Sequence, residues 1–228
     1  MDLDVPAAPW GVKVFLKGKD VSEKYFSGLF SVLPATVIVS TPSYLPERRV
    51  YLKKLLKSLE TNLPNTPIMV SETDERSISK WNNRLMELVD TRFAIMCSDD
   101  VVLESFDERV LETLDRSTIF GVINKNFDGS RYYDMCWCRW DYNVSCVVPY
   151  STDLSLKDPL GFYYLSGNFL GFSKYIWKLV GGFDESFEHY GSEAEFQERC
   201  ASVGANLRFF MDFSLKLQYH HPGPMVLS

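Results

Sequence analysis

Charge of one sign never runs on in this sequence, and no apolar stretch approaches membrane-spanning length. A bilayer-crossing helix needs about 20 consecutive apolar residues, so none is expected. The opening stretch MDLDVPAAPW has neither a basic n-region nor an apolar core, which argues against a signal peptide and for a cytoplasmic location. Cysteine is sparse, with 5 in the chain, and the number is odd. A disulfide scaffold is therefore not expected, and the thiols read as reduced and mostly buried. Cys136 and Cys138 form a C-x-C without a second pair to complete a zinc site. Basic residues are outnumbered, 24 against 30 acidic ones, for a net charge of −6. That balance disfavours a protein that grips long nucleic acid by charge.

What is present suits one sizeable core. The chain has 228 residues, 46% of them hydrophobic, with 16 Phe and 12 Tyr. Residues 1–34 read as an N-terminal extension, with one strand at Val12–Leu16, and residues 35–228 as the main domain. There Thr36–Ser40, Ile68–Val70, Phe93–Cys97 and Ile119–Ile123 are apolar, β-branched runs that read as strands. Between them, Leu52, Leu55, Leu56, Leu59 and Leu63 recur at helical spacing after Pro46, placed as a first helical residue. Ile78, Trp81, Leu85 and Leu88 mark another helix, and Ser105 with Glu108 is a capping box for a third. This alternation predicts an α/β fold with a mainly parallel central sheet flanked by helices. Residues 125–165 lose the period and are expected to supply loops and short strands around a cleft. Asn168–Phe172 and Leu207–Phe210 read as further strands. Ser173 caps a short helix ended by Gly181-Gly182, and Ser192 with Glu195 is a capping box for a helix running to Gly204.

Ligands of such sheets bind beyond the carboxyl ends of the strands. Ser40-Thr41, Ser71-Glu72 and Asp99-Asp100 all fall at such ends. Adjacent carboxylates repel, and a hard divalent cation, Mn²⁺ or Mg²⁺, would compensate them. Gly181–Arg199, GGFDESFEHYGSEAEFQER, gathers carboxylates around aromatics, with Glu193 in a first helical turn and able to serve as a general base. His220-His221 offers an imidazole for a metal. Each alone has an ordinary structural explanation: an acidic turn, a helix-dipole partner, an exposed tail.

Their order is more specific. VIVSTPSYLPE at Val37–Glu47, MVSETDERS at Met69–Ser77, SKWNNRLMELVDTRFAIMCSDDVVL at Ser79–Leu103, and LSGNFLGFSKYIWKLVGGFDESFEHYGSEAEFQERC at Leu165–Cys200 follow one another. Together they resemble the glycosyltransferase family 2 enzymes of the GT-A fold, across roughly residues 35–221. Cys97-Ser98-Asp99 stands where that family has D-x-D. Ser192-Glu193 stands where it has E-D.

The resemblance implies a metal-dependent glycosyltransferase with a nucleotide-sugar donor, UDP by default, acting with inversion. It implies Asp99, Asp100 and His221 as metal ligands and Glu193 as the base. Thr41, Glu72, Asp74, Asn83, Ser98 and Asp99 would lie against the nucleotide. Ser166, Gly167, Asn168 and Asp184 would lie against an acceptor, whether glycan, protein, lipid or modified nucleic-acid base. A nucleotidyltransferase shares the sheet and the metal but needs a glycine-rich loop, which TPSYLPERR at Thr41–Arg49 is not. A non-catalytic sugar- or nucleotide-binding module of the same fold is the other alternative.

Overall fold

The computed structural model describes residues 11–130, 135–139, 144–148, 161–187 and 191–218. The chain enters through β1 (Lys13–Leu16), β2 (Lys19–Asp20) and α1 (Ser22–Phe26). Then come β3 (Ala35–Pro42), α2 (Arg48–Asn62), β4 (Ile68–Thr73), α3 (Ile78–Leu88) and β5 (Phe93–Ser98). The next run is β6 (Val101–Ser105), α4 (Val110–Thr113), β7 (Thr118–Lys125), β8 (Met135–Arg139), β9 (Val144–Val148) and β10 (Gly161–Leu165). Last are β11 (Phe169–Ser173), α5 (Lys174–Val180), α6 (Ser192–Ser202) and β12 (Asn206–Leu217).

Among the described residues a 9-stranded sheet runs β2-β1-β4-β3-β5-β11-β7-β12-β6. Its centre is parallel, because β3 pairs in parallel with both β4 and β5. β12 is parallel to β7, while β11 is antiparallel to β5 and β7 on either side. Alternate side chains of β3 explain the two-sided burial. Val37 and Val39 join one apolar cluster with Leu52, Leu55 and Leu59 of α2, and Ile38 joins the opposite cluster with Trp81 and Leu85 of α3. Residues 11–34 share in this: β1 pairs with the edge of β4, and Val12, Val14 and Tyr25 are buried. β8, β9 and β10 form a separate antiparallel sheet within the aperiodic stretch.

Several local expectations change. Neither capping box forms. Ser105 is still paired with β12, where it accepts from Ser214 N–H, and the Glu108 carboxylate is engaged by Asn65 and Thr66. At α6 the N-cap is Gly191, in the left-handed region at φ 88°, and Glu195 pairs with Arg199. At Glu108 tertiary partners, and at Glu195 an i,i+4 neighbour in the same helix, replace the capping hydrogen bond. Pro46 lies in the turn ahead of α2, which begins at Arg48. By contrast Ser173 does cap α5, accepting from Ile176 N–H at 3.0 Å, and Gly181 closes that helix at φ 83°.

Gly171 on β11 leaves room for the Phe120 ring. It lies directly across from Phe120, and a Cβ there would sit 2.0 Å from the ring's Cζ. That ring is fully buried and packs against Phe93 and Phe210, so it has nowhere to retreat. Gly171→Ala is expected to cost about 3 kcal/mol of stability, read as a lower urea midpoint at unchanged slope. A loss below about 0.5 kcal/mol would show that the ring is not held there.

Candidate active site

Because β3, β4 and β5 are parallel, their carboxyl ends meet at one edge, with Thr41 beside Glu72 and Ser40 beside Ser98. β5 ends at Ser98, and Asp99-Asp100 form a tight turn into β6. The turn sits deep: Asp99 is 4% exposed and Asp100 7%. Buried charges need partners. Thr41 Oγ1 donates to Asp99 Oδ2 at 2.5 Å. Arg48, the first residue of α2, places Nη1 at 3.0 Å from Asp99 Oδ1 and 2.5 Å from Asp100 Oδ2. Desolvation raises the Asp99 pKa, and the Thr41 hydrogen bond and the Arg48 charge only partly oppose it. The same burial, with both carboxylates nearby, pushes the Cys97 thiol up, which suits an inert core residue.

The reversed strand β11 brings the Ser166–Asn168 turn to this edge. Ser98 N–H donates to the Asn168 carbonyl at 3.1 Å, and Ser98 Oγ to Asn168 Oδ1 at 3.3 Å. Asn168 Nδ2 donates to Asn124 Oδ1 at 3.2 Å, at the end of β7. Gly167 lies against Glu193: a Cβ there would be 3.4 Å from Glu193 Cγ and 3.6 Å from Oε1. Gln197, on the same helix as Glu193, locks α6 to this region by donating to Leu165 O and accepting from Leu165 N–H, each at 2.9 Å. Serine, glycine and asparagine at 166–168 and the carboxylate at 193 thus form one constellation, tied through Ser98 to the acidic turn.

Glu193 has an unusual environment. Desolvation raises its pKa, and the bond from its own backbone N–H offsets this only in part. No cation among the described residues pairs with it. Its folded form therefore holds a proton more tightly than the unfolded chain does. The associated stability is complete below the ordinary value of 4.5 and is lost as pH rises through the raised value. Glu193→Gln is accordingly expected to raise the thermal midpoint at neutral pH, with the gain vanishing near pH 4. Paired melts across that range check it; a variant less stable at neutral pH would contradict the desolvation argument.

Glu195, Asp184 and Glu185 each have a hydrogen-bond partner of their own. Glu195 Oε2 accepts from Arg199 Nη2 at 2.6 Å, and Arg199 also donates to Val180 O and Gly182 O, clamping α6 to the end of α5. Asp184 is exposed and accepts from Ser186 N–H at 2.9 Å, which holds its pKa down. Asn83 acts on the same loop. Its Nδ2 donates to Phe183 O at 2.8 Å and Glu185 Oε1 at 3.1 Å, and its Oδ1 accepts from Phe183 N–H at 2.7 Å and Trp177 Nε1 at 3.2 Å. All four hydrogen-bonding positions of that amide are in use, leaving none for a nucleotide. Trp177 is half-buried against the α3 side of the core. Glu72 is exposed and pairs with Arg49 at 2.9 Å, and Asp74 is exposed beyond the end of β4. His221 lies outside the described residues. Gln218 shortly before it donates its backbone N–H to the Asp100 carbonyl at 2.9 Å.

No protein-family model matches the chain, and no curated protein matches it. Solved structures do. The chain is similar to GalNAc-T7 crystallised with UDP, GalNAc and Mn²⁺, with TM-score 0.52 and 12% identity over 84% of this chain and 45% of that one. It is also similar to S. aureus TarS, with TM-score 0.52 and 11% identity over 81% of this chain and 36% of that one. For TarS 1–349 the TM-score is 0.51 and the identity 12%, over 80% and 60% of the two chains. The fold is that of the GT-A glycosyltransferases. The chain spans less than two thirds of each neighbour's length, and at this identity the likeness is one of fold.

Within the GT-A fold, the residue that sequence reasoning passed over is Arg48, weighed there only as part of a possible phosphate loop. Nothing in the sequence marked it, because with Pro46 as the first helical residue Glu47 falls in the first turn. Only the observed start of α2 at Arg48-Arg49, with no acid in the first turn, sets a cation against the helix dipole. Among the described residues no helix is long and apolar enough to cross a membrane.

Proposed function

We propose that this chain is a glycosyltransferase that moves a sugar from a nucleoside-diphosphate donor, UDP by default, to an acceptor hydroxyl with inversion. The observation that carries this reading is the pairing of Glu193 with Gly167, in a turn hydrogen-bonded to Ser98 beside the acidic turn. Glu193 has no cation partner among the described residues and a pKa raised by desolvation, as suits a general base. It takes the acceptor's hydroxyl proton as that oxygen bonds to the anomeric carbon. The bond from that carbon to the diphosphate oxygen breaks, and UDP leaves with the electron pair. Attack opposite the leaving group inverts the centre. Thr41 and Ser98 line the donor end, and Ser166, Gly167 and Asn168 the acceptor end.

The donor set at the acidic turn fits a hard cation. Mg²⁺ is commonly held by one or two carboxylates, with substrate phosphates and water completing its shell. Asp99 and Asp100 supply two carboxylates that already share one cationic group. Among the described residues no cluster of three or more His, Cys, Asp and Glu converges, so phosphate and water would complete the shell. A Mn²⁺ or Mg²⁺ held there would offset charge on the departing diphosphate. The similar GalNAc-T7 structure contains UDP and Mn²⁺, which supports trying these first.

A thermal-shift screen of nucleotide sugars with and without Mn²⁺, followed by assay of nucleoside-diphosphate release, tests the reading. Stabilisation by one donor class, with release of its diphosphate, is the expected result. Lack of stabilisation by every nucleoside diphosphate and nucleotide sugar at millimolar concentration would overturn it.

A further inference from the structure

Arg48 stands where a cation is disfavoured, at the start of α2. It is held there by the buried carboxylates of Asp99 and Asp100, which one of its nitrogens bridges at 3.0 and 2.5 Å. Its side chain is itself largely covered, at 23% exposure. A divalent ion bonded to those same oxygens sits about 2.1 Å from each. It would compete with Arg48 for those oxygens and place two further positive charges against the guanidinium. Metal binding there and the ion pair therefore oppose each other.

We propose that Arg48 makes divalent-metal binding at Asp99 and Asp100 conditional on the donor. Alone, a metal must displace a covered guanidinium from two buried carboxylates. Arriving with a nucleoside diphosphate, it brings phosphate oxygens that can both complete its own shell and pair with the released Arg48. The two ligands then bind with positive coupling, and Arg48 is its source. This rests on the donor-site reading above, although its first consequence needs no donor.

Free Mn²⁺ counted by electron paramagnetic resonance in titrations of the full chain tests the proposal. Without nucleotide, Arg48→Gln is expected to bind Mn²⁺ at least about tenfold more tightly than the wild type, because close charge pairs carry couplings of that size or more. Arg48→Lys keeps the charge and is expected to stay within about threefold of the wild type. With saturating UDP the wild type and Arg48→Gln should converge to within about threefold. Equal or weaker metal binding in folded Arg48→Gln, or tight binding in Arg48→Lys, would overturn the proposal. Should Arg48→Gln not fold, the wild type decides by nuclear magnetic resonance of the arginine side chains. Mg²⁺ sufficient to shift the Asp99 carboxyl signal must release the Arg48 guanidinium, and an unchanged Arg48 signal refutes the competition. The readings fail separately: if no nucleoside diphosphate binds, the glycosyltransferase reading falls, while the metal titrations still decide whether Arg48 opposes the metal.

Discussion

Glu193→Gln is expected to lower kcat by about 10²–10⁴-fold with a true acceptor present, while donor affinity stays near wild type. The amide keeps the volume and the place in the first turn of α6 but cannot take the acceptor's proton. Donor affinity should hold because Glu193 lies against Gly167, in the turn assigned to the acceptor end. If the carboxylate served only the helix dipole, its loss would amount to about 0.3–1 kcal/mol of stability with turnover nearly normal. The raised pKa sharpens the contrast, since the same variant should gain stability at neutral pH while losing activity. The base must be ionised, so wild-type kcat/KM should rise with pH through a value above the ordinary 4.5, and the variant should lack that limb. A variant keeping more than about a tenth of wild-type turnover would sink the assignment. Glu195 would be a poor replacement, tied as it is to Arg199; Asp184 and Glu185 would be next.

Asp99→Asn is expected to weaken metal-dependent UDP binding by at least about tenfold, since changes in mere outer-shell partners of metals already cost about 10–100-fold. The amide keeps the shape but loses the charge a hard cation needs. The fold should survive. The Asp99 pKa is raised by desolvation, so the ionised group is a net cost to the folded state at neutral pH, and a neutral isostere relieves it. Arg48 retains Asp100 at 2.5 Å. Calorimetry with UDP and Mn²⁺ measures the effect, and an unchanged affinity would remove Asp99 from the donor site.

The two assignments differ in how they could be read from the chain. Thr36–Ser40, Ile68–Val70 and Phe93–Cys97 are visible as strands because buried parallel strands are apolar on both faces, and nothing distant is needed to see that. The amphipathic pattern of α2 and α3, the Ser173 cap and the Gly181 stop are equally local. The order of those segments placed Thr41, Glu72 and Asp99-Asp100 at one edge, and the register of β3 with its neighbours agrees. β6 was not legible: Val101–Ser105 becomes a strand because β12 lies beside it, more than a hundred residues later in the chain. The same dependence on distant partners took Glu108 to Asn65 in place of a local cap.

Sequence by itself therefore determined which segments are apolar enough to form the sheet and its covering helices, and where its acidic turn falls, since burial pattern and chain order are local properties. Only the tertiary structure decided the partners of the polar groups. Buried charges and amides take whichever partner the packed chain brings within about 3 Å, regardless of separation in sequence. That is why Arg48 bridges Asp99 and Asp100, why Asn83 serves the GGFDE loop, and why Gly167 rests on Glu193.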